Sequence, residues 1–244
     1  LLSLAVMLAL FYLLFGRKLH VDDAHKDALA GLDEREQIKN PVLLRQSVVM
    51  IVLVVAGFMA HGSLGIESCV VALTAAGVLM LISGERIEEA LARVEWTTLV
   101  FFAGLFIVVG ALSEVGVIGM LAQALIDVTG GSTFIAMLVL LIASAIISSF
   151  LDNIPFVATM IPILLSMEAT GMDVAPLWWA VSLGACLGGN GTLIGASANV
   201  VMSDISRKNG HVITFAHFFK VGFPTMLATV AVSAIYLIVR FPPM

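Results

Sequence analysis

One carboxylate stands where an apolar sequence should not hold one. Asp152 lies between two strongly apolar runs, Ser132–Phe150 and Phe156–Met167. An ionisable side chain at membrane depth costs about 2.5–3.5 kcal/mol on insertion scales and marks a functional position by default. The residues after it, Asn153-Ile154-Pro155, end one helix and start another: Asp or Asn caps, and Pro fits a first turn. A cap needs no charge, because Asn caps as well. The charge on Asp152 therefore points to a cation or proton site that couples transport, with Asn153 beside it; a transported Na⁺ at this pair is the one metal reading, and no resident metal is expected.

A second polar stretch, Gly188-Gly-Asn-Gly-Thr-Leu-Ile-Gly-Ala-Ser-Ala-Asn199, separates two apolar half-helices. Irregular backbone at membrane depth is tolerated only where protein buries it or where it lines a water-filled cavity. The glycines alone fit close helix packing, as in Gly184-xxx-Gly188 and Gly191-xxx-Gly195. Packing does not account for Asn190, Thr192, Ser197 and Asn199 in the same stretch. Gly189, Asn190, Gly191, Thr192, Ser197 and Asn199 are therefore candidate ligands together with Asp152 and Asn153. Two discontinuous helices meeting in mid-membrane are the usual site of a secondary transporter: carbonyl ends attract cations and N-terminal ends attract anions.

The elements that must position these residues are membrane helices. Of 244 residues 60% are hydrophobic and 12% charged, with a mean hydropathy of +1.09. Soluble domains carry roughly a quarter charged residues. The fold class is an all-α polytopic membrane protein. Cys69 and Cys186 sit in apolar runs and suggest neither a disulfide framework nor a metal site. No histidine pair has metal spacing, no phosphate-binding loop is present, and no nucleic-acid surface is apparent. No cofactor is expected.

Along the chain, Leu1–Gly16 is a short apolar segment without the basic start or cleavage site of a signal peptide. The chain reads as part of a longer protein. Arg17–Arg45 is polar, and reads either as an amphipathic surface helix around Ala24–Ile38 or as a solvated connecting loop. Ser47–Leu64 and Ser68–Ser83 are spans, Gly84–Glu95 an interfacial helix, Trp96 a boundary residue and Thr97–Leu112 a third span. Glu114–Gly131 is mixed in character. A hairpin over 132–167 and a broken helix over 177–208 follow, the latter as Leu177–Leu187 and Val200–Ile205. Val221–Val239 is the last span. The expected division is an end helix and cytoplasmic linker (1–46), scaffold helices (47–131), a transport domain (132–208) and a final scaffold span (209–244).

Charge bias bears on the hairpin. Cytoplasmic loops carry the excess of Lys and Arg. If residues 132–167 enter and leave on the outer side, all 12 basic residues but Arg240 fall on the cytoplasmic side. A single crossing there would put Arg207, Lys208 and Lys220 outside.

An intramembrane enzyme is the rival class. An aspartyl protease needs a second buried aspartate, for which Asp204 is the one candidate, and no facing Ser–His pair is evident. The chain is expected not to be an enzyme.

Two motifs carry a resemblance. Phe150-Leu-Asp-Asn-Ile-Pro-Phe-Val-Ala-Thr-Met-Ile-Pro162 and Leu183-Gly-Ala-Cys-Leu-Gly-Gly-Asn-Gly-Thr-Leu-Ile-Gly-Ala-Ser-Ala-Asn-Val-Val201 resemble the P protein group of the ion transporter superfamily. That superfamily also holds arsenite permeases, D-type sodium/proton antiporters, and citrate and dicarboxylate carriers. The resemblance runs from about Leu43 onward. It implies that the chain is one inverted-repeat half, with a re-entrant helical hairpin and a broken transmembrane helix. It also implies an N-terminal repeat of the same protein as partner, a homodimer joined through scaffold helices, and an elevator movement. Dicarboxylate carriers have Ser-Asn-Thr where this chain has Asp152-Asn153-Ile154, so an acidic residue replaces serine at the tip.

The expected function is secondary active transport of a small inorganic ion or carboxylate by alternating access, coupled to H⁺ or Na⁺. The alternatives are an anion conductance and a non-transporting membrane scaffold or receptor. The location is a multi-pass position in a lipid bilayer, the plasma membrane of a bacterium or an organelle membrane of a eukaryote.

Overall fold

A computed structural model describes residues 2–16, 38, 40–84 and 86–243. The surface helix or loop read around Ala24–Ile38 lies, save for Ile38, outside the described residues. Those described form helices α1 (Leu2–Phe15), α2 (Pro41–Leu64), α3 (Ser68–Ile82), α4 (Ile87–Ala92), α5 (Trp96–Glu114) and α6 (Val117–Val128). They continue with α7 (Thr133–Ser148), α8 (Asn153–Ala169), α9 (Ala175–Gly188), α10 (Ser197–Lys208) and α11 (Phe215–Arg240). No strand occurs among the described residues. By contacts the chain divides into two units, one of residues 20–98 and one of residues 1–19 and 99–244.

In the smaller unit, Asn40 caps α2 by accepting from the Leu43 N–H at 3.0 Å, and Pro41 opens the helix. The 24 residues of α2 carry one basic side chain near the start, so the helix is long and apolar enough to cross a membrane. Gly65, at φ 65°, ends α2 and turns the chain into α3. The two helices pack together, and Gln46 Nε2 donates to the Ile82 carbonyl at 3.1 Å. The stretch expected to be an interfacial helix, Gly84–Glu95, holds one short helix, α4. The Trp96 indole N–H donates back to the Leu91 carbonyl at 3.1 Å.

In the larger unit, α5 and α11 are also of membrane-crossing length and hydropathy. The stretch expected to be mixed is a helix, α6, with Ile118 and Ala122 buried. It meets α7 at a bend of 113°. The bend needs left-handed backbone, which Gly130 (φ 60°) and Gly131 (φ 71°) supply without a Cβ penalty. The core is formed by side chains of α6, α7, α8, α9 and α11, with Met137, Leu141, Leu164, Met167, Leu177, Met226 and Leu237 fully buried.

The closest pairing is α7 with α9, and it depends on missing side chains. A Cβ at Gly184 would come within 2.5 Å of the Leu141 carbonyl, and one at Gly188 within 2.5 Å of the Ala145 carbonyl. Ser148 Oγ closes the seam by donating to the Ala185 carbonyl at 2.8 Å. Contacts advance in step, 141 with 184 and 145 with 188, so α7 and α9 run in the same direction. Five residues link α8 to α9 and reach at most about 18 Å. Parallel α7 and α9 with so short a link require α8 to carry the chain back toward the level where α7 began.

Candidate functional site

Four helix ends meet where the chain turns at 149–152 and breaks at 189–196. Because α7 and α9 are parallel, their carbonyl-bearing C-terminal ends lie together. The N-terminal ends of α8 and α10 form the other side. Helix C-termini carry partial negative charge and N-termini partial positive charge.

Asp152 sits on the positive side. Its Oδ1 accepts from the Ile154 N–H at 3.2 Å and caps α8, as Pro155 in the first turn leads one to expect. Its Oδ2 accepts from the Ser197 hydroxyl at 3.1 Å. Ser197 is the first residue of α10, whose N-cap, Ala196, has no side chain to accept an N–H. One carboxylate thus touches the starts of two helices. Asp152 and Asn153 are half-buried and Ser197 is exposed, so the carboxylate is open to an incoming ligand.

The other side is a ladder of carbonyl contacts. Thr192, fully buried, donates its hydroxyl to the Ser149 carbonyl in a short hydrogen bond. Ser149 Oγ lies 2.7 Å from the Ala145 carbonyl and 3.0 Å from the Gly188 carbonyl, where its proton is shared. Asn199 Nδ2 donates to the carbonyls of Gly189 at 2.9 Å and Thr192 at 3.0 Å. It holds the two limbs of the break together. Gly189 and Gly195 press on one another: a Cβ on Gly195 would come within 2.8 Å of the Gly189 carbonyl. Gly191 faces the Ser149 side chain too closely to admit a Cβ.

The candidate residues therefore divide. Asp152 and Ser197 are brought together directly. Thr192 and Asn199 shape the break rather than presenting free donors, and Gly189 and Gly191 serve close approach. Asn190 is exposed and lines an apolar cavity of about 860 Å³ with residues of α1 and α11 such as Tyr12, His217 and Thr225. Ser197 and Asn199 lie in the first turn of α10, three residues earlier than the expected start at Val200. Asp204, weighed above as a second catalytic aspartate, pairs instead with Arg207 and with Lys208 at 2.8 Å on an exposed helix face. Ser149 was missed by sequence reasoning. Its signal is the serine pair Ser148-Ser149 ending an apolar run just before the turn. A carboxylate oxygen, hydroxyls and helix-end carbonyls are the donor set of a hard cation or a proton.

A family model for the citrate transporter, CitMHS, matches residues 1–184, three-quarters of the chain. The chain belongs to the citrate transporter family. The match stops at Gly184, short of the break, but whole-chain relatives extend through it. The chain is similar to an uncharacterized transporter of Mycobacterium tuberculosis, 44% identical over 98% of this chain and 56% of that protein. It is similar to a 46 kDa membrane protein of Mycobacterium leprae, 40% identical over 97% of this chain and 56% of that protein. It is 38% identical to the human P protein over 98% of this chain and 31% of that protein. The chain spans little more than half the length of its mycobacterial relatives. This citrate transporter family member is an integral, multi-pass membrane protein of a transporter family, not an enzyme family. The two motifs at Phe150–Pro162 and Leu183–Val201 pointed to the same group.

Proposed function

We propose that the full-length protein is a secondary active transporter, and that this chain supplies one half of its substrate site. The cargo is a small inorganic ion or a carboxylate, moved by alternating access and coupled to H⁺ or Na⁺. The observation that carries the reading is the Asp152–Ser197 hydrogen bond, which joins the turn after α7 to the restart of the broken helix at 3.1 Å. A charged group between two helix starts, beside a ladder of helix-end carbonyls, changes its interactions when a proton or cation arrives. Asp152 with Asn153 takes the coupling ion. Ser197 and the backbone around Gly189–Thr192 complete this half.

In the same reading residues 132–167 are a re-entrant hairpin, supported by the return path of α8 and by the distribution of Lys and Arg. The hairpin and the broken helix over 177–208 form the moving part. Residues 47–131 and 209–244 are scaffold, through which two copies associate while the moving part travels as an elevator.

The test is a flux screen of the full-length protein in proteoliposomes with arsenite, Na⁺, citrate and chloride, at two pH values, with and without Na⁺. Accumulation of one cargo against its gradient, driven by H⁺ or Na⁺, supports the proposal. A current that follows voltage passively replaces it with a conductance, and no flux of any cargo replaces it with a scaffold.

A further inference from the structure

A second cavity, of about 650 Å³, lies at the opposite ends of the same helices, where α7 and α9 begin and α11 finishes. The 16 residues of α7 place this end about 24 Å from the turn at 149–152. From a turn at mid-membrane, about 15 Å inside the edge of a hydrocarbon core roughly 30 Å thick, this end reaches past the hydrocarbon into the headgroup layer.

The lining is mixed in a particular way. It holds one cation, Arg240, and one carboxylate, Asp173, among apolar side chains that include Phe134, Ile135 and Phe241. The two charges share the cavity but form no ion pair with each other: the Arg240 guanidinium rests over the Phe241 ring, 5.2 Å from its centroid. Asp173 Oδ1 accepts from the Ala175 N–H at 3.0 Å, which leaves Oδ2 for a ligand. Ser132 Oγ accepts from the Ile135 N–H at 3.4 Å and keeps its own hydrogen to donate. A ligand that satisfies this lining carries an anionic group, a separate N–H cation and an apolar body. It arrives from the edge of the membrane.

We propose that the cavity binds the headgroup of a zwitterionic phospholipid bearing a primary amine. The phosphate lies against Arg240 and the Ser132 hydroxyl, a charge-assisted pairing that suits guanidinium. The ammonium donates to Asp173. The glycerol and upper acyl chain rest on Phe134, Ile135 and Phe241. A quaternary-amine headgroup has no N–H for Asp173, and a purely anionic headgroup leaves the carboxylate unmatched. The proposal is independent of the transport reading, because no residue of the Asp152 site takes part.

The test uses the full-length protein reconstituted in vesicles of equal parts phosphatidylethanolamine, phosphatidylcholine and phosphatidylglycerol. It is then extracted in mild detergent and weighed with its retained lipids by native mass spectrometry. Wild-type protein is expected to retain phosphatidylethanolamine in preference to the other two. Asp173→Asn keeps an acceptor for the Ala175 N–H and is expected to lose that preference. Arg240→Gln is expected to lower retention of all three, and Arg240→Lys to restore most of it. Equal retention of the three lipids by wild-type protein overturns the proposal, as does a preference that survives Asp173→Asn. Soluble phosphoethanolamine is expected to displace the lipid poorly; displacement at equal concentration overturns the lipid assignment in favour of a water-soluble ligand.

Discussion

Gly188 lies against Ala145 so closely that a Cβ would meet the Ala145 carbonyl oxygen at 2.5 Å. The obstacle is backbone, which cannot swing aside as a side chain can. This pair sets the distance between α7 and α9, and the distance places Thr192 under the Ser149 carbonyl.

The first prediction concerns that seam. Gly188→Ala and Gly184→Ala should each lower stability by about 1–3 kcal/mol, the usual range for overpacking. Gly77→Ala and Gly104→Ala, whose added Cβ atoms meet nothing within 4 Å, should be neutral or slightly stabilising. Thermal unfolding of the full-length protein in detergent reads the difference. Equal behaviour of the two pairs would mean that the seam relaxes freely.

Asp152→Asn separates charge from capping. Asn still accepts from the Ile154 N–H, so the protein should fold and reach the membrane at wild-type levels. Its transport should lose or displace the dependence on pH or Na⁺, measured as flux in proteoliposomes. Ser197→Ala removes the partner hydroxyl and should alter the same dependence more mildly. Coupling identical to wild type in Asp152→Asn would remove that residue from the mechanism.

Thr192→Val deletes the hydroxyl that serves the Ser149 carbonyl while keeping the shape. A buried acceptor left unpaired costs about 1–3 kcal/mol. The variant should unfold at a lower temperature, and Thr192→Ser should recover most of the loss. No recovery in the serine variant would assign the effect to packing of the Thr192 methyl instead.

Asn199→Asp is nearly isosteric but replaces the amide that serves the Gly189 and Thr192 carbonyls with an acceptor. Two carbonyls lose their donor and a carboxylate faces them. The variant should lose transport activity, and protease cleavage within 189–196 should increase. Asn199→Gln keeps the amide and should lie between the two. Wild-type protection in Asn199→Asp would show that other contacts hold the break.

Much of this site was legible because hydrocarbon makes backbone irregularity conspicuous. The Asp152-Asn153-Ile154-Pro155 turn and the Gly188–Asn199 break stand out from long apolar runs, and each proved to be a helix end. The division of labour between their polar residues was not legible. Thr192 and Asn199 look like ligands in a sequence, yet the carbonyls they serve belong to Ser149, Gly189 and Thr192 itself. Ser149 was not legible because a serine at the end of a helix has the last turn's carbonyls to satisfy it and needs no special reading.

The sequence by itself determined the class of the protein, the two interruptions and the one carboxylate among apolar runs. These follow from composition and from local backbone chemistry, which act over a few residues. Only the tertiary structure decided that α7 and α9 run parallel, that Gly184 and Gly188 are packing glycines, that Asn190 faces a separate cavity, and that Asp152 meets Ser197. Those facts join positions some 40 residues apart. They depend on helix separation and register, which local sequence preferences leave open and side-chain packing sets.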